Sequence, residues 1–232
     1  MSPEYIMGNL PSARVTPQRL FMTCGVDYAG PYYLIDKLRG RNVTKAYICI
    51  FVCFATKAVH IELARDLSTN AFFNCLYRFI SRRGKCQKIY SDNGTNFVGA
   101  RSELSELGQL IKRHDFQTDV TDFLGNEKIS WHMSPPNSPH FGGLWEAAVK
   151  STKKHLRRVI GDTRLMYDEL YTVLTQVEAC LNSRPLSPIS TDPNDLIPIT
   201  PCHFLIGDSL VASPQHDLRD TPQNRFTRYE HL

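Results

Sequence analysis

The sequence predicts an α/β domain: a mixed sheet flanked by helices. Three observations carry this. Strand-like segments come first, between residues 21 and 63, and from residue 69 helix-like and strand-like segments alternate. That order suits a sheet with antiparallel and parallel neighbours, covered by helices. Second, Ala46 to Ala55 is an unbroken apolar run of ten residues. A membrane span needs about 20, so the run reads as a buried strand. Third, the later segments repeat their apolar residues at helical spacing.

The elements follow in order. Residues 1–19 read as a connector, because Pro3, Gly8, Pro11 and Pro17 interrupt any period. Phe21 to Asp27 reads as a strand, Gly30-Pro31 as a turn, and Tyr32 to Ile35 as a second short strand. Lys45 to Phe54 is the buried strand. Ala58 to Leu63 alternates as Ala-Val-His-Ile-Glu-Leu and closes the meander. Ser68 caps a helix over Thr69 to Arg82, with Phe72, Phe73, Leu76, Phe79 and Ile80 on one face. Lys88 to Ser91 is a short strand ending at Asp92. Residues 100–113 read as a helix, residues 114–127 as a polar loop with an insertion, and Lys128 to Met133 as the last strand. Pro135, Pro136 and Pro139 mark a loop before a long helix from Gly143 to Ile160. A further helix from Met166 to Asn182 turns Leu170, Val173, Leu174, Val177 and Leu181 inward, and Arg184-Pro185 stops it. Residues 20–185 thus form the core. Residues 186–232 read as an irregular tail, since seven of the fourteen prolines fall between 185 and 222.

Composition bounds the rest. With 232 residues and 42% apolar content, the chain supports a real core. No signal peptide opens it. The seven cysteines are scattered without a CxxC pair, which reads as free thiols in a reducing compartment. Cys49 and Cys53 fall in the buried run; Cys75 and Cys180 fall on apolar helical faces. The net charge of +4 is mild and proves no partner; its distribution says more.

Three segments each set one carboxylate beside glycines or at the edge of an apolar run. They are Gly25-Val26-Asp27-Tyr28-Ala29-Gly30-Pro31, Tyr90-Ser91-Asp92-Asn93-Gly94-Thr95 and Phe141-Gly142-Gly143-Leu144-Trp145-Glu146. Asp27 interrupts a strand, where a plain turn former is out of place. Asp92 with Asn93-Gly94 is by itself an ordinary turn. Glu146 with Lys150 is by itself an i, i+4 surface pair. If the fold brings Asp27, Asp92 and Glu146 together, they form a hard all-oxygen site. Two magnesium or manganese ions held there suit phosphodiester chemistry.

The order and contexts of these motifs resemble the catalytic domain of retroviral and retrotransposon integrases, closest to the Pao-type (BEL/Pao) elements. The likeness rests on residues 25–31, on Ser-Asp-Asn-Gly-Thr-Asn-Phe at 91–97, and on Pro-Pro-Asn-Ser-Pro-His-Phe-Gly-Gly-Leu-Trp-Glu at 135–146. It covers about residues 20–185, and is weaker at Thr200 to Gly207. The 53 residues between Asp92 and Glu146 exceed the spacing usual in retroviral members; the polar 114–127 segment absorbs the excess at a loop. The resemblance implies a ribonuclease H-like fold, a mixed five-stranded sheet flanked by helices. It implies 3′-end processing and strand transfer of DNA by a divalent-metal polynucleotidyl transferase, with Asp27, Asp92 and Glu146 as catalytic and metal-binding residues. It further implies element ends and target DNA as partners, self-association, and a nuclear site of action. A full-length relative would carry an upstream zinc module and further C-terminal sequence, and neither is evident in this chain. A same-fold nuclease and a non-catalytic, host-adopted DNA-binding remnant are the alternatives.

The helix holding Glu146 adds its own signal. At 100° per residue, Glu146, Lys150, Lys153 and Arg157 share a band about 60° wide. Leu144, Trp145, Ala148, Val149, Leu156 and Val159 lie opposite. Three cations against one carboxylate exceed simple pairing and would draw DNA phosphates along the helix. In the family, positions matching Lys150 and Lys153 contact the element's end. Lys154 and Arg158 are weaker candidates at the flank. Asn96 is either a hydrogen-bond partner near the metals or a turn former. Residues 135–143 resemble the flexible loop beside integrase sites, or are a plain helix-entry loop; Asn137 and His140 are candidate DNA contacts there. His60, His114 and His203 show no metal-ligand spacing.

Overall fold

In a computed structural model, the structure describes residues 12–36, 42–91, 118, 129–133, 139–188, 190 and 198–210. Elements are numbered along these residues. The sheet strands are β1 (Thr23–Asp36), β2 (Asn42–Cys53), β3 (Val59–Ala64), β4 (Lys88–Ser91) and β5 (Ser130–Met133). The helices are α1 (Ser12–Val15), α2 (Thr69–Arg83), α3 (Pro139–Val159), α4 (Tyr167–Asn182) and α5 (Pro201–Ile206). The sheet order is β3-β2-β1-β4-β5. The β1–β2 and β2–β3 pairs are antiparallel, and β1–β4 and β4–β5 are parallel. The expected mixed five-stranded α/β sheet with flanking helices is present.

The sheet separates two apolar layers. On one face, Cys24, Val26, Tyr28, Cys49 and Phe51 pack against Phe72, Leu76 and Phe79 of α2. On the other, Ala29, Ile48, Ile50, Ile61 and Leu63 pack against Trp145, Ala148 and Leu156 of α3 and Leu170, Val173 and Leu174 of α4. The apolar run of β2 is buried on both faces because helices cover both. Helix α2 begins where expected: Ser68 Oγ accepts the Ala71 N–H at 3.1 Å. It ends at Gly84, whose φ of 82° favours glycine.

β3 is an edge strand, yet all six of its residues are buried. Helix α4 seals that edge. Asn182 accepts the Val59 N–H and donates to the Val59 carbonyl, both at 2.8 Å. The Glu178 carboxylate accepts the Ile61 N–H at 2.7 Å. The strand thus offers less free backbone for pairing with another chain.

A buried polar cluster lies on the α2 side. Glu62 takes Arg78 Nε at 2.5 Å, Arg82 at 3.2 Å and His60 Nε2 at 3.0 Å. His60 Nδ1 faces Arg83 Nε at 3.2 Å and Glu178 at 3.6 Å, and Arg83 also pairs with Glu178. Burial opposes ionisation of Glu62, but bonds from His60 and Arg78 outweigh it and hold its pKa below the usual value.

Four sequence expectations need correction. Gly30-Pro31 is no turn between strands: β1 runs through it, with a register irregularity between Ala29 and Tyr32. One long strand bent by an irregularity keeps its pairing with β2 on both sides. Second, α3 begins at Pro139 rather than Gly143. Proline suits a first helical turn because its missing N–H is not needed there, so Gly142-Gly143 lie inside a helix. Third, Cys180 is exposed while the other six cysteines are buried; it sits on the outer flank of α4. Fourth, part of the expected irregular tail is ordered. Ser187–Pro188 (β6) pairs with Pro198–Ile199 (β7), and α5 buries Pro201 and Cys202. The helix expected at 100–113 lies outside the described residues.

Candidate active site

Asp27 stands in β1 between residues whose directions are known. Gly25 lies under the Trp145 ring, so close that an added Cβ would stand 2.3 Å from its Cε3. Ala29 belongs to the α3–α4 layer. Cys24, Val26 and Tyr28 belong to the opposite layer. Strand alternation therefore turns Asp27 to the α3 side, and its cross-strand partner Ile50 belongs to that layer too. Asp27 is half-buried. Its Oδ1 accepts the Tyr28 N–H at 2.7 Å, which ties the carboxylate to the backbone.

Glu146 follows Trp145 in α3. Trp145 is fully buried on β1, whereas Glu146 is exposed. The two carboxylates thus belong to elements in direct contact, on the same side of the sheet. An aromatic series continues across this region. Trp145 stacks with Phe54 at 6.0 Å, Phe54 with Tyr90 at 5.0 Å, and Tyr90 with His132 at 5.0 Å between centroids. These contacts join α3, the residue after β2, β4 and β5 into one rigid floor. The buried Trp145 Nε1 has no hydrogen-bond partner among the described residues.

β4 runs parallel to β1, and its last residue Ser91 pairs with Val26. Ser91 is buried and accepts the Trp131 Nε1–H at 2.8 Å. Asp92 is the next residue in the chain; it lies outside the described residues, as do Asn96 and Asn137. His140 falls in the first turn of α3, and its side chain lies outside them as well. Among the described residues, no group of three His, Cys, Asp or Glu is placed to hold a metal ion.

The amphipathic reading of α3 matches the structure. Trp145, Ala148, Val149 and Leu156 are buried. Glu146, Lys150 and Arg157 are exposed, and Lys153 is half-buried. Thr152 is buried too, which its polarity did not suggest; its Oγ1 donates to the Ala148 carbonyl at 2.8 Å, satisfying the hydroxyl within the helix. Sequence reasoning also missed the partners of His60 and Glu62. The signal was there: His60 and Glu62 share one strand face at i, i+2, and Arg78 and Arg82 share one helix face at i, i+4.

No protein-family model matches the sequence, and no curated protein matches it. Among solved structures, one similar chain comes from the cryo-electron microscopy structure of the simian T-cell lymphotropic virus intasome in complex with PP2A regulatory subunit B56 gamma. The two align with a TM-score of 0.54 and 15% identity, over 92% of this chain and 64% of that one. At such identity the likeness shows the fold alone. Together with the sheet order, it defines a ribonuclease H-like α/β fold of the kind found in an intasome chain. This chain spans about 64% of that neighbour's length. No helix among the described residues is long and apolar enough to cross a membrane.

Proposed function

We propose that this chain is the catalytic core of a retrotransposon integrase, of the Pao type its motifs resemble. It processes the 3′ ends of the element's DNA and joins them to target DNA. The observation that supports this most is the seating of Trp145 on Gly25. That contact fixes the helix of Glu146 against the strand of Asp27, on the face to which Asp27 turns. The reading needs the carboxylate of Asp92 there as well. Tyr90, two residues earlier, packs on the same layer, and Ser91 pairs with the strand of Asp27.

The donor chemistry fits a hard divalent cation, since Asp27, Asp92 and Glu146 offer only carboxylate oxygens. When bound, magnesium or manganese supplies Lewis-acid stabilisation of the attacking and leaving oxygens of a phosphodiester. The chain's own groups do the positioning. The Tyr28 N–H orients Asp27. Lys150, Lys153 and Arg157 lie in line from Glu146 and hold the phosphates of a DNA strand along α3. Asn96, Asn137 and His140 are further DNA contacts on this reading. In-line phosphoryl transfer needs such placement more than covalent chemistry. DNA and further copies of this chain are the partners, and the nucleus is the place of action.

The test is strand transfer from an oligonucleotide duplex end into a second duplex, in Mn²⁺. Asp92→Asn should reduce product to background while circular dichroism and melting stay unchanged. Product formation at the wild-type level in that variant refutes the assignment. DNA binding without product from the unaltered chain supports a non-catalytic DNA-binding remnant instead.

A further inference from the structure

The basic stripe of α3 does not end on open surface. Its far end forms one wall of a cleft of about 530 Å³. Lys153, Arg157 and Arg164 line it, with Asp162 as the opposing charge among the described residues. The opposite wall is the Gly30-to-Leu34 stretch of β1, which presents Tyr32 and Tyr33. The floor is apolar: Leu156, Leu165 and Leu170 are each at most 2% exposed. A backbone bond from Ile35 N–H to the Leu165 carbonyl, 3.0 Å, ties the two walls together. The cleft is therefore framed by β1, α3, the 160–166 connection that carries Arg164, and the start of α4.

Its chemistry selects an anion with a flat apolar part. Burial raises the Tyr32 hydroxyl pKa to about 12 despite the opposing pull of Arg157. The ring thus stays neutral at physiological pH, as a stacking face with a hydroxyl that still donates. Cations at the rim and an aromatic with aliphatic floor within are the two halves of a nucleotide site. The volume lies within the range of small-ligand pockets, roughly 300–1,000 Å³. Position adds a constraint. Along an α-helix rising 1.5 Å per residue, Lys153 is about 10 Å and Arg157 about 16 Å from Glu146. At 3.4 Å per base along one strand, that is about three to five nucleotides.

We propose that this cleft holds one unpaired nucleotide of the DNA strand laid along α3, three to five positions from the reacting end. Its base enters against Tyr32, and its phosphate lies between Arg157 and Arg164. The proposal rests on the reading of α3 as a DNA-binding helix. Extruding a base costs least where it is already mispaired. Binding by the full chain should then depend on where a mispair sits.

The experiment is fluorescence anisotropy with short duplexes carrying one mismatch at each of positions one to eight from the 3′ end. Mismatches at three to five should tighten binding about tenfold relative to the matched duplex, and those elsewhere should leave it unchanged. Arg164→Ala, on an exposed residue, should erase that gain. Equal affinity at every mismatch position, with Lys150→Ala still weakening binding, overturns the cleft proposal and leaves the DNA-binding helix intact. Binding indifferent to Lys150→Ala overturns both. A positional gain that survives Arg164→Ala and Tyr32→Leu, both folded by circular dichroism, also overturns the cleft.

Discussion

A methyl group added at residue 25 would collide with the Trp145 ring, 2.3 Å from Cε3. Glycine is required at this strand position because an indole takes the space of a side chain. Gly25→Ala forces Trp145, and with it the helix turn carrying Glu146, away from β1. Overpacking of this kind costs about 1–3 kcal/mol. We expect Gly25→Ala to lower the unfolding free energy from urea titration by that amount, with a lower midpoint, and, on the proposed reading, to depress strand transfer more than it depresses DNA binding. An unchanged midpoint would mean that α3 is not seated on β1 as described.

Glu62 makes a second residue-scale prediction. Its folded pKa is held below the ordinary 4.5 by His60 and Arg78. A depressed carboxylate stabilises the fold above its unfolded pKa. That contribution is lost as pH falls through the folded value. Glu62→Gln removes one partner of a buried ion cluster and should cost about 2–4 kcal/mol at pH 7, towards the low end because Arg78 and Arg82 reach solvent. The gap between wild type and variant should narrow steadily as pH drops from 5 to 3. Urea titrations at several pH values read it directly, and a gap independent of pH would show that Glu62 is not ionised in the folded state.

At the scale of elements, the edge of the sheet is the informative place. Asn182 does for β3 what a sixth strand would do, supplying both a donor and an acceptor to Val59. Asn182→Leu keeps the apolar packing of α4 but leaves a buried N–H and C=O unmatched. At about 1–3 kcal/mol for each orphaned group, the loss should total about 2–6 kcal/mol. Amide exchange at Val59 and Ile61 should accelerate ahead of the rest of β2 and β3. Exchange that speeds up equally across the sheet would point to global destabilisation instead. On the same face of the sheet as α4, α3 combines two tasks in one helix. Its buried stripe sets the distance to β1, and its charged stripe faces outward from the same turns. Neither stripe can rotate without spoiling the other.

For the whole molecule, the proposed reading has three clustered carboxylates set repulsion against metal affinity. Without cation, neighbouring carboxylates disfavour one another's ionisation; a bound divalent ion reverses the sign. On the proposed reading, Mg²⁺ or Mn²⁺ should raise the melting temperature. At a concentration 100 times the dissociation constant, the gain is about 2.7 kcal/mol. Asp27→Asn and Glu146→Gln should each abolish most of the shift. Calcium with an equal effect in those variants and in wild type would show that the ion binds elsewhere. The 15% identity to the intasome chain carries none of this; the fold positions the elements, and the chemistry has to be tested on these residues.

Much was readable in one dimension because it depends on local periodicity. The buried β2 run, the Ser68 cap, the two-faced α3 and the inner face of α4 all follow from repeats of two or 3.6 residues. The three carboxylates were visible beside glycines or at the edge of an apolar run. Other features depended on partners distant in the chain, which no local pattern records. Gly30-Pro31 looks like a turn until β2 pairs on both sides of it. The start of α3 at Pro139 and the burial of Cys202 arise from packing. Asn182 looks like a helix end until Val59 lies beside it, 123 residues away. The cleft between Tyr32 and Arg157 exists only because β1, α3 and α4 meet. Element types, the mixed sheet and the candidate residues could be read along the chain, because backbone preference and amphipathicity act within a few residues. Tertiary structure alone decided which faces meet and which edge is sealed, because those energies arise only when distant segments remove each other from water.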